Sequence, residues 1–172
     1  MSKKCVIITA PGFQDEEVVY PYYRLMEEGY SVEVATKDGA VVYGKYGVPA
    51  RATMATTQLK SSNFDCVILP GGFEAPDRVR LLPEVQKFVR EMDEQKKLVA
   101  AICHGPWIMI SAKICKGRKM TAFWSIEEDI RNSGADYKHK APVVIDGNFI
   151  TAPHYNNNGD FMKAVVSYLN KQ

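Results

Sequence analysis

The stretch 98–112, LVAAICHGPWIMISA, constrains the fold most strongly. An apolar run ends at Cys103, His104 and Gly105 follow at once, and Pro106 opens a second apolar run with helical spacing. The thiol therefore sits where a strand turns directly into a helix. The same alternation recurs along the chain. Residues 5–10 and 64–69 are continuous β-favouring runs, the kind buried on both faces of a parallel sheet, and 31–36 alternates as a further strand. Val18, Val19, Tyr22, Leu25 and Met26 recur at helical spacing until Gly29, as do Val85, Phe88, Val89 and Met92 after Pro83. Residues 159–170 repeat the pattern, with Phe161, Ala164, Val165, Tyr168 and Leu169 on the inner side. Strands alternating with helices predict an α/β chain with a mostly parallel sheet covered on both faces, in one domain over 1–172.

Smaller signals fill in the rest. Residues 39–51, rich in glycine and valine, predict a small β-hairpin, and Asp146-Gly147 predicts a tight hairpin joining 142–145 to 148–152. Residues 120–123 read as a short strand. Ser125 and Glu128 form a capping box for a helix ending at Gly134. Pro21 inside the first helix predicts a kink or a late start.

The charge balance, 22 basic against 20 acidic residues for a net +2, gives no broad field for nucleic acid or anionic membrane. Lys116, Arg118 and Lys119 read as a solvated connection. The first apolar run stops at Pro11 and acidic residues follow, which fits neither a signal peptide nor a membrane helix. Cysteines at 5, 66, 103 and 115 include no C-x-x-C pair, so neither disulfide framework nor metal site is indicated, and the expectation is a cytoplasmic protein with free thiols.

In an open parallel sheet, ligands bind beyond the carboxyl ends of the strands. Three features meet there: the loop after the first strand with Glu16 and Glu17, the Gly71-Gly72 turn, and Cys103. Ala101 and Gly105 flank Cys103 at minus two and plus two, as small residues flank the serine of a nucleophile elbow. A thiol there is a nucleophile, or else inert core packing. Backbone N–H groups of His104 and Gly72 are the candidate oxyanion donors, and Glu17 or Glu16 the carboxylic acid beside the sulfur, each also readable as ordinary helix-start charge. Phe73, Phe123, Trp124 and His154 are candidates for the wall of the site. His139 lies in a solvent-facing Lys-His-Lys segment.

Together, Ala-Ile-Cys-His-Gly-Pro at 101–106, Leu-Pro-Gly-Gly at 69–72, Ala-Pro-Asp-Arg-Val-Arg at 75–80 and Tyr-Pro-Tyr-Tyr-Arg-Leu at 20–25 resemble the ThiJ/PfpI family, of the class I glutamine-amidotransferase-like superfamily, over essentially the whole chain. The intracellular-protease and protein-deglycase branch is the most similar. The resemblance implies a flavodoxin-like three-layer sandwich with a reactive Cys at the elbow. It also implies a glutamate four residues before the proline of the first helix, which selects Glu17. It implies that His104 pairs with an acid of a neighbouring subunit, here Asp77, with Glu74 as the alternative because this chain has one residue more before Ala75. A homo-oligomer follows, a dimer building toward a hexamer. The implied activity is a cofactor-free cysteine enzyme acting on small reactive carbonyls, their adducts or peptides, spanning glyoxalase, deglycase and peptidase chemistry. Its rivals are an oxidative-stress sensor or chaperone-like protein whose Cys103 is oxidised, and a binding module. His154 is followed by Tyr155 and Asn156 rather than a His-x-Glu pair, so ammonia release from glutamine is not implied, and the Asn156 to Asn158 run departs from the branch.

Overall fold

The computed structural model describes residues 2–172. Its elements are β1 (Lys4–Ile8), α1 (Asp15–Glu27), β2 (Ser31–Thr36), β3 (Val42–Tyr43), β4 (Pro49–Ala50), β5 (Met54–Ala55), β6 (Cys66–Leu69), α2 (Glu74–Val79) and α3 (Pro83–Glu94). There follow β7 (Leu98–Ile102), α4 (Pro106–Ser111), β8 (Lys119–Met120), α5 (Glu127–Asn132), β9 (Asp136–Tyr137), β10 (Val144–Asp146), β11 (Phe149–Ala152) and α6 (Asn158–Leu169).

Seven strands form the central sheet in the order β10-β11-β7-β6-β1-β2-β5. All neighbours are parallel except the β10–β11 hairpin, which turns at Gly147. The continuous apolar runs fall in the middle: Val6, Ile7, all of β6 and all of β7 are fully buried, so helices must cover both faces. From β1 the chain steps outward to β2, then returns to β6 on the other side of β1 and continues to β7. With right-handed crossovers, this reversal places α1 and α6 on one face and α3 and α4 on the other. The reversal also opens a crevice at the carboxyl ends of β1 and β6, where ligands of such sheets bind. This is the predicted α/β layering. The 39–51 hairpin appears as β3 and β4.

Four local expectations are corrected. α1 starts at Asp15 and runs through Pro21, so there is no late start, because only one i to i−4 bond is forfeited in a helix held by tertiary packing. The strand expected at 120–123 is confined to β8, which pairs with β9 rather than joining the main sheet. Ser125 caps nothing. It sits in a 3-10 turn, Trp124–Ile126, and α5 starts at Glu127. Arg118 is not simply solvated: its guanidinium lies 3.7 Å from the centre of the Phe149 ring and donates to the Asp146 carbonyl and the Asn148 side chain, pinning the β10–β11 turn. A short helix after β6, α2, escaped the pattern because six residues hold too few periods to register.

Among the described residues no helix is long and apolar enough to cross a membrane, and no group of three or more His, Cys, Asp or Glu is arranged to hold a metal ion.

Candidate active site

Cys103 is the first residue beyond β7 and adopts φ 60°, the left-handed region that costs an ordinary L-residue about 1–2 kcal/mol. The fold holds it there by fixing both sides. The Cys103 N–H donates to the Ala152 carbonyl, and its own carbonyl accepts from Phe123. Two residues on, the turn passes so close to β6 that a Cβ on Gly105 would lie 2.0 Å from the Leu69 carbonyl oxygen. The small residue expected from sequence is thus a steric necessity. α4 then leads away with Pro106 at its first position.

Beneath the sulfur lies the Glu17 carboxyl, in the first turn of α1 and fully buried. Its Oε2 accepts from the Gly71 N–H at 2.6 Å, while Oε1 has no nitrogen or oxygen partner. Burial pushes the acid up to about 8, against the pull of the Gly71 and Cys103 hydrogen bonds. Near neutral pH it therefore keeps its proton. Gly71 is bound into this arrangement: a Cβ there would sit 2.6 Å from both the Cys103 Cβ and Glu17 Oε2. Its N–H is engaged by Glu17, so of the two turn glycines named from sequence only Gly72 has its N–H directed at the sulfur. The Cys103 thiol is pushed above its ordinary range first by burial and then by the negative charge of Glu17, while N–H groups of Gly72 and His104 favour the thiolate. When Glu17 is protonated the second of these opposing effects disappears.

His104, although adjacent in sequence, turns back onto the thiol: Nδ1 lies 3.2 Å from Sγ. Its Nε2 lies 3.3 Å from Ser125 Oγ. The ring stacks on Phe123 and meets Trp107 edge-on. Burial lowers its pKa, outweighing the nearby Asp129 carboxylate, so the imidazole is held toward its neutral form. Asp129 also accepts from the Trp107 indole, tying α5 to α4 behind the histidine.

A cleft of about 460 Å³ opens above these groups. Phe73, Phe123 and His154 line it, as expected. Trp124 does not: it stacks on Phe123 at 3.8 Å and borders the neighbouring depression instead. Gln14, Lys45, Tyr46, Ser125 and Tyr155 also line the cleft. None was named from sequence as part of the site, because each arrives on a loop whose position depends on tertiary contacts. His154 is half-buried and caps the turn at Tyr155–Asn157 through Nδ1. Asp77 is exposed on α2 and has no side-chain hydrogen bond among the described residues, so it does not meet His104 within one chain. Glu74 is paired with Arg78 at 2.6 Å. His139 is exposed beside Glu127, remote from the sulfur.

The model of the DJ-1/PfpI family matches residues 3–168. The chain belongs to the DJ-1/PfpI family. The deglycase PfpI of Pyrococcus furiosus is 38% identical over 166 residues, covering 96% of this chain and 99% of that protein. Among solved structures, a two-domain protein from Anabaena variabilis containing DJ-1/ThiJ/PfpI-like and ferritin-like domains superposes with a TM-score of 0.95 at 37% identity, over 98% of this chain. This chain spans about half of that protein, 48%. DJ-1beta of Drosophila melanogaster superposes with a TM-score of 0.93 at 28% identity, covering 98% and 91% of the two chains. The DJ-1/PfpI fold is therefore that of this chain, and its relatives support an enzyme of the family.

Proposed function

We propose that this protein is a cofactor-independent cysteine enzyme of the DJ-1/PfpI family that attacks reactive carbonyls, carbonyl adducts of the deglycase type, or peptides. The observation that carries the reading is Cys103 itself, held at φ 60° between two backbone N–H groups and a buried, protonated Glu17. Lys96, Lys113 and Lys140 share this left-handed backbone, but only at Cys103 does it present a thiol at the carboxyl end of a central strand to two N–H groups and a buried acid.

The contacts support the following steps. Neutral His104 takes the thiol proton at Nδ1, and its Nε2–H donates to Ser125 Oγ, which holds the ring in the accepting tautomer. The thiolate attacks the carbonyl carbon, a C–S bond forms, and the C=O electron pair moves onto oxygen. Gly72 and His104 N–H groups stabilise that oxygen, and Glu17 transfers its proton to it, leaving a neutral hemithioacetal and a Glu17 carboxylate. Proton return from imidazolium to Glu17, through substrate or water, resets the pair for the next step.

Turnover of methylglyoxal and of a fluorogenic peptide by the wild type and by Cys103→Ala tests the assignment. Loss of about 10³-fold or more in kcat/KM for one substrate is expected; equal rates remove Cys103 from the mechanism. A second reading is favoured by the protonated Glu17, which would also donate to an oxidised sulfur: two equivalents of peroxide convert the thiolate to a sulfinate with loss of water. Selective sulfinate formation at Cys103 by peptide mapping, with no turnover of either substrate, would favour the sensor over the enzyme.

A further inference from the structure

The cleft is asymmetric in charge. Lys45 is its one ordinary cation, and no carboxylate is among the described residues that line it. Lys45 has no ion pair among the described residues; its ammonium rests over the Tyr46 ring, 5.3 Å from the centroid. Nor is the loop that carries it loosely placed. Gly12 N–H donates to the Tyr43 carbonyl, Lys45 N–H to the Phe13 carbonyl, and Gly44 N–H to the Val48 carbonyl. Asp15, only 5% exposed, accepts from Tyr46 N–H and Val48 N–H at 2.9 Å each. A buried carboxylate is thus devoted to the backbone immediately after an exposed lysine. Asp15 stands two residues before Glu17, so one turn of α1 sets both the acid under the sulfur and the loop bearing the cation.

We propose that Lys45 anchors a carboxylate on the substrate, so that the cleft selects carbonyl compounds carrying a carboxylate a short chain away from the reacting carbonyl. This rests on the carbonyl chemistry proposed above and narrows it to anionic substrates. A cation on a pinned loop, in a cleft whose lining carries no carboxylate of its own although Glu16 accepts from the lining Gln14 at 2.7 Å, discriminates by Coulomb attraction and by charge-assisted hydrogen bonds, both of which an ester loses. Screening at an exposed rim keeps the effect modest.

Matched probes test it: 4,5-dioxopentanoate, its methyl ester, and methylglyoxal as the small neutral reference. Wild type should favour the acid over the ester by about tenfold in kcat/KM, carried by KM and shrinking as salt is raised. The preference should fall to about one in Lys45→Met and return in Lys45→Arg. An equal ratio in the wild type, or a preference that survives in Lys45→Met, overturns the assignment. If none of the three is turned over, the carbonyl reading fails, and binding then decides Lys45 separately. Levulinate should bind more tightly than methyl levulinate by titration calorimetry, with the difference lost in Lys45→Met; equal binding overturns the anchor as well.

Discussion

Glu17 is a carboxylic acid placed where its charge is least tolerable, and that has a measurable thermodynamic signature. Its pKa is about 8 in the folded chain against an unfolded value near 4.5. Between these limits the folded chain holds a proton that the unfolded chain has released, so stability falls as pH rises from about 4.5 to about 8, by up to about 1.4 kcal/mol per unit. In Glu17→Gln that loss is absent. Urea midpoints of the two proteins should diverge between pH 5.5 and 7.5 in favour of the variant, and parallel curves would mean that Glu17 is ionised throughout. The same substitution removes the proton donor, and kcat/KM should fall about 10²-fold. Cys103 and Glu17 were legible as residues because the strand-end position of one and the helix-start position of the other follow from hydrophobic pattern, the choice of Glu17 over Glu16 resting on the family motif. Ser125 was not. Its spacing to Glu128 satisfies a capping pattern, but the contact that forms is with His104, 21 residues away, and no local pattern encodes it. Ser125→Ala should shift the acid limb of the kcat/KM–pH profile to lower pH, because the hydroxyl that accepts from Nε2–H stabilises the imidazolium more than the neutral ring, whereas Ser125→Thr should restore the wild-type limb; coincident profiles for all three would deny it a positioning role.

At the level of elements, the site is three turns at the ends of three strands, and each is fixed by backbone contact rather than by its own propensity. The β7–α4 turn shows this most clearly, since Gly105 lies against the Leu69 carbonyl. Gly105→Ala must push β6 and β7 apart or tilt α4, and we expect a loss of at least about 2 kcal/mol in unfolding free energy, read as a lower urea midpoint at unchanged m. The long central strands were readable because continuous apolar runs can satisfy only a doubly covered sheet. The β3–β4 hairpin was readable as a hairpin, but its docking was not: that depends on Asp15, which looks like ordinary helix-start charge until the Tyr46 and Val48 N–H groups are seen to end on it. Asp15→Ala leaves both donors unsatisfied, so amide exchange at residues 44–48 should accelerate well beyond that of the central strands.

For the whole molecule, the strand order decides where chemistry can occur. Reversal at β1 and β6 brings Glu17, Gly72 and Cys103 to one crevice although 86 residues separate the first from the last. The expected partner acid stands outside that logic. Asp77 faces solvent on α2, and within one chain the outer face of His104 is met by the weaker, uncharged Ser125. A site completed in trans would add a carboxylate to a histidine whose burial favours its neutral form, raising its basicity toward the thiol. The expected outcome is a homo-oligomer in sedimentation, well above the 19.3 kDa of one chain, whose specific activity falls as it is diluted toward monomers. Asp77→Asn should then lower kcat/KM about tenfold in the assembled state without changing the sedimenting species, and Glu74→Gln should not. Dilution-independent activity with an unaffected Asp77→Asn would leave Ser125 as the sole orienter of His104 and make each chain a self-sufficient catalyst.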